Sequence, residues 1–398
     1  MKISNSISKT ILTALVLGSA WETHSKVNTS GLFDFRYQDA EMRASYATGN
    51  QQTASPNFTV GQMTLFIDGS VSENMFYSGE IQADLFSNQI PQQHNFKLRT
   101  GSVTILGLGE KVMNLEVGRF NAVQGTFVER RLGLDNPLMD SPLAYSYRVN
   151  LDPDGGFVPN GEVRNLSILD KEMVQTGMRL FGNVAGSKLD YDLVVHNNAI
   201  SNPKATNTNN TLGTTVKLTW RGDSDSRMGI SYSQAGYMDS LNNLTDPTSA
   251  SFRGPRIGRN SEAEYKQTVF SAFLDQRWHR FDFHSEFIDS TWEVPNLARN
   301  RNDLSATNYY AELKYNFTKT LFAAGRYDVL DFDNRTYQTI NVTPRSWDFD
   351  VNRTELGMGA FLNPNALAKL AYQINSVDTP VAIPRDYNVI SGSLTVAF

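Results

Sequence analysis

Cysteine is absent from the 398 residues. That excludes a disulfide framework, a thiolate-ligated zinc site and a thiol nucleophile. Long apolar runs are absent as well. The most apolar stretch near the N-terminus, residues 11–17, falls far short of the ~20 residues a membrane-crossing helix needs. Histidine is scarce, with only His24, His94, His196, His279 and His284. Asp190 and Asp192 precede His196, yet no Gly-x-Ser-x-Gly elbow or His-Glu-x-x-His helix accompanies them. The histidines therefore read as wetted polar side chains, and neither an enzyme nor a cofactor is expected. No block of positive charge exists either: 36 basic residues stand against 41 acidic ones, a net of −5, which argues against a nucleic-acid partner. Finally, no linker or composition break divides the chain, so one large domain is expected rather than two or three.

What is present begins with a secretory signal. Lys2 and Lys9 supply the positive region, residues 11–17 the apolar stretch, and Gly18-Ser19-Ala20 a small-x-small cleavage site. Cleavage after Ala20 leaves residues 21–398 with 34 basic and 41 acidic residues, a net of −7.

The mature chain alternates with period two. Ile390, Gly392, Leu394, Val396 and Phe398 share one parity, while Ser391, Ser393, Thr395 and Ala397 fill the other. Phe33, Phe35 and Tyr37 alternate with Asp34, Arg36 and Gln38 in the same way, as do Met63, Leu65 and Ile67 with Gln62, Thr64 and Asp68. Such alternation places each set on one face of a strand. A strand ending on an aromatic suits a barrel in a bilayer, where the apolar face meets lipid and the polar face lines the lumen. Sixteen strands are predicted. The fourth, near 95–106, alternates poorly, and Lys97, Arg99 and Gly101 there suggest a bulge.

The connections and aromatics agree. Short links are predicted at 72–75, 107–110, 183–187, 222–226, 278–279, 317–320 and 362–365. Longer ones fall between them at 47–57, 87–94, 120–173, 197–212, 235–264, 293–306, 332–350 and 376–386. Strict alternation of short and long links is the signature of a membrane barrel. Phe76, Tyr77, Trp220, Trp278, Phe281, Tyr315, Phe317, Phe361 and Phe398 sit beside the short links, and Tyr37, Tyr232, Tyr309 and Tyr372 toward the opposite ends. Amphipathic rings at both ends make two interfacial girdles. The fold expected is all-β: a sixteen-stranded antiparallel transmembrane barrel with a long loop after strand five.

That loop, 120–173, is too apolar to float in water. It carries Phe120, Phe127, Leu132, Leu138, Leu143, Tyr145, Tyr147, Leu151 and Phe157, and is expected to fold into the lumen and constrict it. Its charges, Glu129, Arg130, Arg131, Asp135, Asp140 and Arg148, then face the remaining opening. Asp152 and Asp154, in Asp152-Pro153-Asp154-Gly155-Gly156, form a weak candidate for Ca²⁺, but the downstream ligands of a full loop are lacking and an ordinary Asp/Gly turn accounts for them better.

Sixteen strands, a terminal Phe, a long insertion after strand five and the run Leu115-Glu116-Val117-Gly118-Arg119 resemble the general porins of Gram-negative outer membranes. The Pro-Glu-Phe-Gly turn of their constriction loop is missing. The resemblance implies a water-filled homotrimer passing small hydrophilic solutes passively, with loop carboxylates opposing a basic wall cluster to which Arg119 would belong. Simple parity instead places Arg119 on the lipid side with Leu115 and Val117, unless a bulge at Gly118 re-aims it.

Parity assigns Arg36, Asp68, Glu80, Glu116, Arg179, Lys217, Arg326 and Arg353 to the lumen wall, together with Asp84, Glu286, Glu312, Lys314, Glu355 and Lys369. Both signs occur throughout, so no single-sign ladder for a highly charged substrate is predicted. Two alternatives remain open. A sugar- or anion-specific channel would use Phe127, Tyr145, Tyr147 and Phe157 as stacking surfaces. A plugged structural barrel would use loop 235–264, whose Arg253, Arg256 and Arg259 suit lipopolysaccharide phosphates or another protein.

Overall fold

In a computed structural model, sixteen antiparallel strands close on themselves. The structure describes residues 27–40, 56–84, 95–111, 113–151, 164–184, 187–207, 211–222, 225–237, 265–295, 301–335, 345–378 and 386–398. The strands are β1 Val27–Ala40, β2 Asn57–Ser72, β3 Met75–Asp84, β4 Asn95–Gly107, β5 Met113–Asn121, β6 Val174–Asn183, β7 Leu189–His196 and β8 Gly213–Arg221. They continue as β9 Ser226–Gly236, β10 Lys266–Trp278, β11 Phe281–Pro295, β12 Arg301–Asn316, β13 Leu321–Phe332, β14 Val351–Asn363, β15 Ala366–Val377 and β16 Tyr387–Ala397. Each pairs with its sequence neighbours, and β16 returns to β1 with Leu32 opposite Ala397 and Ala40 opposite Val389. The seam is finished by the last residue. The Gly31 amide donates to the Phe398 carbonyl at 2.8 Å, and the Phe398 amide donates to the Gly31 carbonyl at 3.0 Å. The Phe398 ring lies over Gly31, 2.3 Å from where a Cβ would stand, so a larger residue there would displace the ring.

The two faces are inverted relative to a soluble protein. Val117, Met178, Val195, Ile230, Leu313, Leu356, Met358 and Ile390 are exposed on the outside, while Thr64, Ser231, Ser271, Glu286, Asn308, Glu312, Glu355 and Thr395 are buried within. Phe35 and Leu394 are 37% and 39% exposed, with no second sheet covering them. So large an apolar surface is untenable in water and is what hydrocarbon requires. At the short-turn end, Trp278, Phe281, Tyr315 and Phe317 stack in series, with centroids 5.5, 4.8 and 4.9 Å apart. Tyr232, Tyr309 and Tyr372 are exposed nearer the other rim.

Two strand boundaries depart from expectation. Between β3 and β4 the register slips: Glu80 faces Thr100 and Ile81 faces Leu98, leaving Arg99 as the extra residue. The bulge turns Arg99 inward and lets Leu98 stay outside, which is why the fourth strand breaks alternation. The connection expected at 293–306 is largely strand, since Pro295 pairs with Arg301. In the residues that extend these strands the apolar side chains, Val294, Leu304 and Ala306, are buried inside the barrel, the reverse of the outer-belt alternation from which the strands are read. Two short ribbons, Val149–Asn150 with Arg164–Leu166 and Asn334–Arg335 with Arg345–Ser346, stand outside the barrel sheet.

Placing a charge on the outer belt tests this inversion. Leu356→Lys is expected to cost about 2–4 kcal/mol at mid-membrane depth, read by urea unfolding in lipid vesicles. A lysine on the wet face at Gln373 of β15, whose residue is buried toward the lumen, would cost less.

Candidate functional site

Between β5 and β6 the chain leaves the wall and crosses the barrel interior. Phe120, the inward residue at the end of β5, packs with Val123 and with Val194 of β7. Its exit rests on Gly118, whose φ of +132° favours glycine, and where a Cβ would stand 2.4 Å from the Gly101 carbonyl oxygen. A 3₁₀ turn follows at Phe127–Arg130, then a helical turn at Leu143–Ser146 introduced by Pro142. Phe127, Leu143, Tyr145, Leu151 and Ile168 form one apolar cluster with Val269, Ile288, Trp292 and Leu304 of the wall. Each such side chain contributes roughly 1.5–3 kcal/mol by leaving water. The segment is therefore seated by a core of its own.

Polar contacts fix its orientation against β11–β14. Arg130 donates to Glu312 at 2.5 Å and to the Tyr310 hydroxyl at 3.1 Å. Arg326 lies between Glu312, at 3.3 Å, and Glu355, at 2.6 Å, and also donates to the Asp140 carbonyl at 2.8 Å. The Met139 amide donates to Glu355 at 2.8 Å, the Leu143 amide to Asp328 at 2.6 Å, and the Tyr145 hydroxyl to Glu286 at 3.0 Å. Arg353 pairs with Asp328 at 2.9 Å. On the opposite flank Lys369 donates to the Gly133, Asn136 and Leu138 carbonyls, each at 2.9 Å. Buried ions persist only when paired or hydrogen-bonded: Arg130, Arg326 and Arg353 have carboxylate partners, and Lys369 has three carbonyls.

Among the described residues, cavities flank the segment on both sides. One of about 250 Å³ lies toward the long-loop side, lined by Arg36, Gln62, Gln82, Lys97, Arg99, Arg131, Asp140, Lys171, Glu172 and Lys369 among others. The second, about 540 Å³, lies against the short-turn ends of β5–β9, where Asn114, Asn183, Asp190 and Arg227 sit near the strand termini. It is lined also by Glu129, Arg179, Phe181, Asp192 and Lys217. The turn Phe127–Arg130 stands between them: Phe127 and Arg131 line the first cavity, Val128 and Glu129 the second. It is tied on both sides, Arg131 to Glu80 and Glu129 to Arg227, the latter at 2.5 Å.

The candidates of the inserted segment separate accordingly. Glu129, Arg131 and Asp140 face cavities, Arg130 is buried in the wall network, and Asp135 is exposed. Arg148 lines neither cavity. Arg119 keeps the outward parity of Val117 and lines neither cavity; it bends to Glu172 at 3.1 Å and the Thr176 hydroxyl at 3.3 Å. Asp152, Asp154 and Phe157 lie outside the described residues.

Along the wall, Arg36, Arg179, Lys217 and Lys369 face cavities, Glu80 pairs with Arg99 and Arg131, and Glu116 accepts from Ser102 and Arg179. Asp68 is exposed, and Lys314 lies 3.9 Å from Asp282. The side chain of Asp84 and the loop arginines Arg253, Arg256 and Arg259 also lie outside the described residues.

Other residues were missed. Arg99 was hidden by its bulge. Arg227 shares the parity of Ser231 and Ser233 and was readable from it. Lys171 and Glu172 belong to no strand and carried no signal. The aromatics Phe127 and Tyr145 are buried against each other at 5.5 Å, and Tyr147 packs on Phe332 at 5.7 Å, so all three anchor the segment. His196, expected to be wetted, is buried between the Asn198 carbonyl and the Thr215 hydroxyl, each 2.9 Å away. His284 lies 2.7 Å from Asp275. Among the described residues no group of three His, Cys, Asp or Glu side chains is placed to hold a metal.

No protein-family model and no curated protein matches this sequence. Solved structures do match. An anion-selective porin from Comamonas acidovorans is similar over 94% of this chain and all of its own, at 9% identity and a TM-score of 0.59. The outer-membrane channel DcaP of Acinetobacter baumannii matches 95% of this chain and 99% of its own, at 10% identity and a TM-score of 0.59. OmpT, an outer-membrane protein of Vibrio cholerae, in its trimer form, covers 94% and 100%, at 9% identity and a TM-score of 0.54. At such identities the likeness establishes the fold: a closed sixteen-stranded barrel of the kind found in Gram-negative outer-membrane porins.

Two outcomes follow from these contacts. Arg326→Met leaves Glu355 with no cationic partner among the described residues and Glu312 with Arg130 alone, and is expected to cost roughly 3–5 kcal/mol, measured by urea unfolding; the double change with Glu355→Gln should recover much of it. Asp348, in the connection between β13 and β14, accepts from the Tyr147 hydroxyl at 3.0 Å and the Asn150 amide at 2.8 Å. Burial, outweighing those bonds, raises its carboxyl to about 6. A raised carboxyl favours the folded contact while protonated, so this tie is expected to weaken as pH rises through about 6. Amide hydrogen exchange at Asn150 should quicken across that window, after correction for intrinsic rates, and lose the step in Asp348→Asn.

Proposed function

We propose that the chain is a porin of the Gram-negative outer membrane, passing small hydrophilic solutes and ions by passive diffusion. No covalent chemistry or cofactor takes part. The observation that carries this reading is a barrel with an apolar exterior and an ion-paired interior that retains cavities on both sides of one inserted segment. The segment 120–173 is the constriction, with Glu129, Arg131 and Asp140 at its faces. The lipid bilayer and lipopolysaccharide are the surroundings, and a homotrimer is the assembly, in keeping with the trimer form of one structural neighbour.

A closed structural barrel is the second reading, favoured by the turn Phe127–Arg130 standing between the two cavities. A sugar track is disfavoured by the burial of Phe127 and Tyr145. Deleting residues 128–160 is expected to raise single-channel conductance in planar bilayers severalfold. Unchanged conductance would remove the constriction role, and an intact protein that forms no channels would favour the structural barrel. Liposome swelling with sugars of graded size separates a sieve, which declines smoothly with size, from a specific channel, which saturates.

A further inference from the structure

Resting on the channel reading, we propose that the long-loop-side cavity is a recognition site for small organic carboxylates, making this channel anion-preferring. The inserted segment sorts the charges of the wall. Where it lies on β11–β14 it covers Glu286, Glu312, Asp328 and Glu355, leaving these carboxylates at most 2% exposed and bonded to the segment or to Arg326 and Arg353. A solute in the lumen does not meet them. Where the segment stands clear, the lining is cationic: Arg36, Lys97, Arg131 and Lys171 face the 250 Å³ cavity, with the buried Arg99 and Lys369 behind them, against Asp140 and Glu172.

The carboxylates near this cavity are each shared. Glu80 serves both Arg99 and Arg131, and Glu172 serves Lys97 at 2.9 Å and Arg119 at 3.1 Å. Even with Asp34 and Glu80 counted behind the lining and Asp135 near Arg131 and Lys369, six cations meet five anions. This surplus arises in a chain whose net charge is −5. The other cavity shows no such excess: Arg179, Lys217 and Arg227 balance Glu129, Asp190 and Asp192.

The donors suit a carboxylate. Arg36 uses Nε on Asp34 at 2.7 Å, and the bonds among the described residues leave its terminal amino groups for a solute. Arg131 brings a second guanidinium and Lys171, which is exposed, an ammonium. Guanidinium forks match a carboxylate's two oxygens, and a cleft lined by one sign concentrates the opposite ion. The volume lies below the ~300 Å³ at which sites for drug-sized ligands begin, which limits the solute to a few carbons.

The test is the reversal potential of the intact protein in planar bilayers, first under a potassium chloride gradient and then with acetate or succinate replacing chloride. Anion over cation permeability of about threefold or more is expected. It should fall by at least half in Lys171→Glu and in Arg36→Gln, while Arg280→Gln, at the β10–β11 turn, leaves it unchanged. Succinate should also reduce chloride current saturably in the intact protein and less so in Arg36→Gln. Channels that prefer potassium, or a preference untouched by both variants, would overturn this inference and leave the porin reading standing. Absence of any conductance would overturn the porin reading and this inference with it.

Discussion

The lumen is organised by one interaction, the neutralisation of a carboxylate-rich wall by the segment laid across it. Glu286, Glu312, Asp328 and Glu355 are buried, and each is satisfied by an arginine, a tyrosine hydroxyl or a backbone amide. Removing the segment would expose four carboxylates on adjacent strands with only Arg326 and Arg353 to offset them. Placing it elsewhere would strand them. The wall therefore dictates where the segment lies, and the apolar cluster around Tyr145 and Trp292 makes that position tight.

Seen this way, the barrel has two different halves. One is a packed interior that behaves like the core of a soluble protein, with rings and buried ion pairs in contact. The other keeps water-sized space and a surplus of basic side chains. The turn at Phe127–Arg130 belongs to both, since Arg130 is locked into the first half while its neighbours Glu129 and Arg131 tie the two cavities apart. An ion pair exposed to the lumen is worth far less than a buried one. The tie of Glu129 to Arg227, with both side chains at least a third exposed, is thus a weaker hold than Arg130 within the wall or Arg131 on the buried Glu80.

The barrel was legible in the chain because lipid demands a strict parity: an Ile390 or a Leu356 on the wrong side of a strand is costly, so the alternation survives unblurred. Short turns were equally legible, since two-residue links such as 279–280 leave no room for anything else. Parity told which face Glu312 or Lys217 occupies. It gave no hint of what lies opposite, and so the separation of a covered acidic wall from an open basic one could not be read. Arg99 escaped because one inserted residue exchanges the faces of everything beyond it. Lys171 and Glu172 escaped because residues between strands follow no period. The extension of β11 and β12 to Pro295 and Arg301 escaped because its apolar residues, Val294, Leu304 and Ala306, are buried inside with the inserted segment, against the parity of the lipid belt.

The seam between Gly31 and Phe398 has a bearing on how such a chain is made. Until β16 pairs with β1, both strands present free edges. The incomplete cylinder is then an open template for joining to other copies, a hazard that ends only when β1 and β16 meet. Its biogenesis is therefore a matter of shielding two edges at once, and the glycine beneath the terminal ring is the place where that exposure ceases.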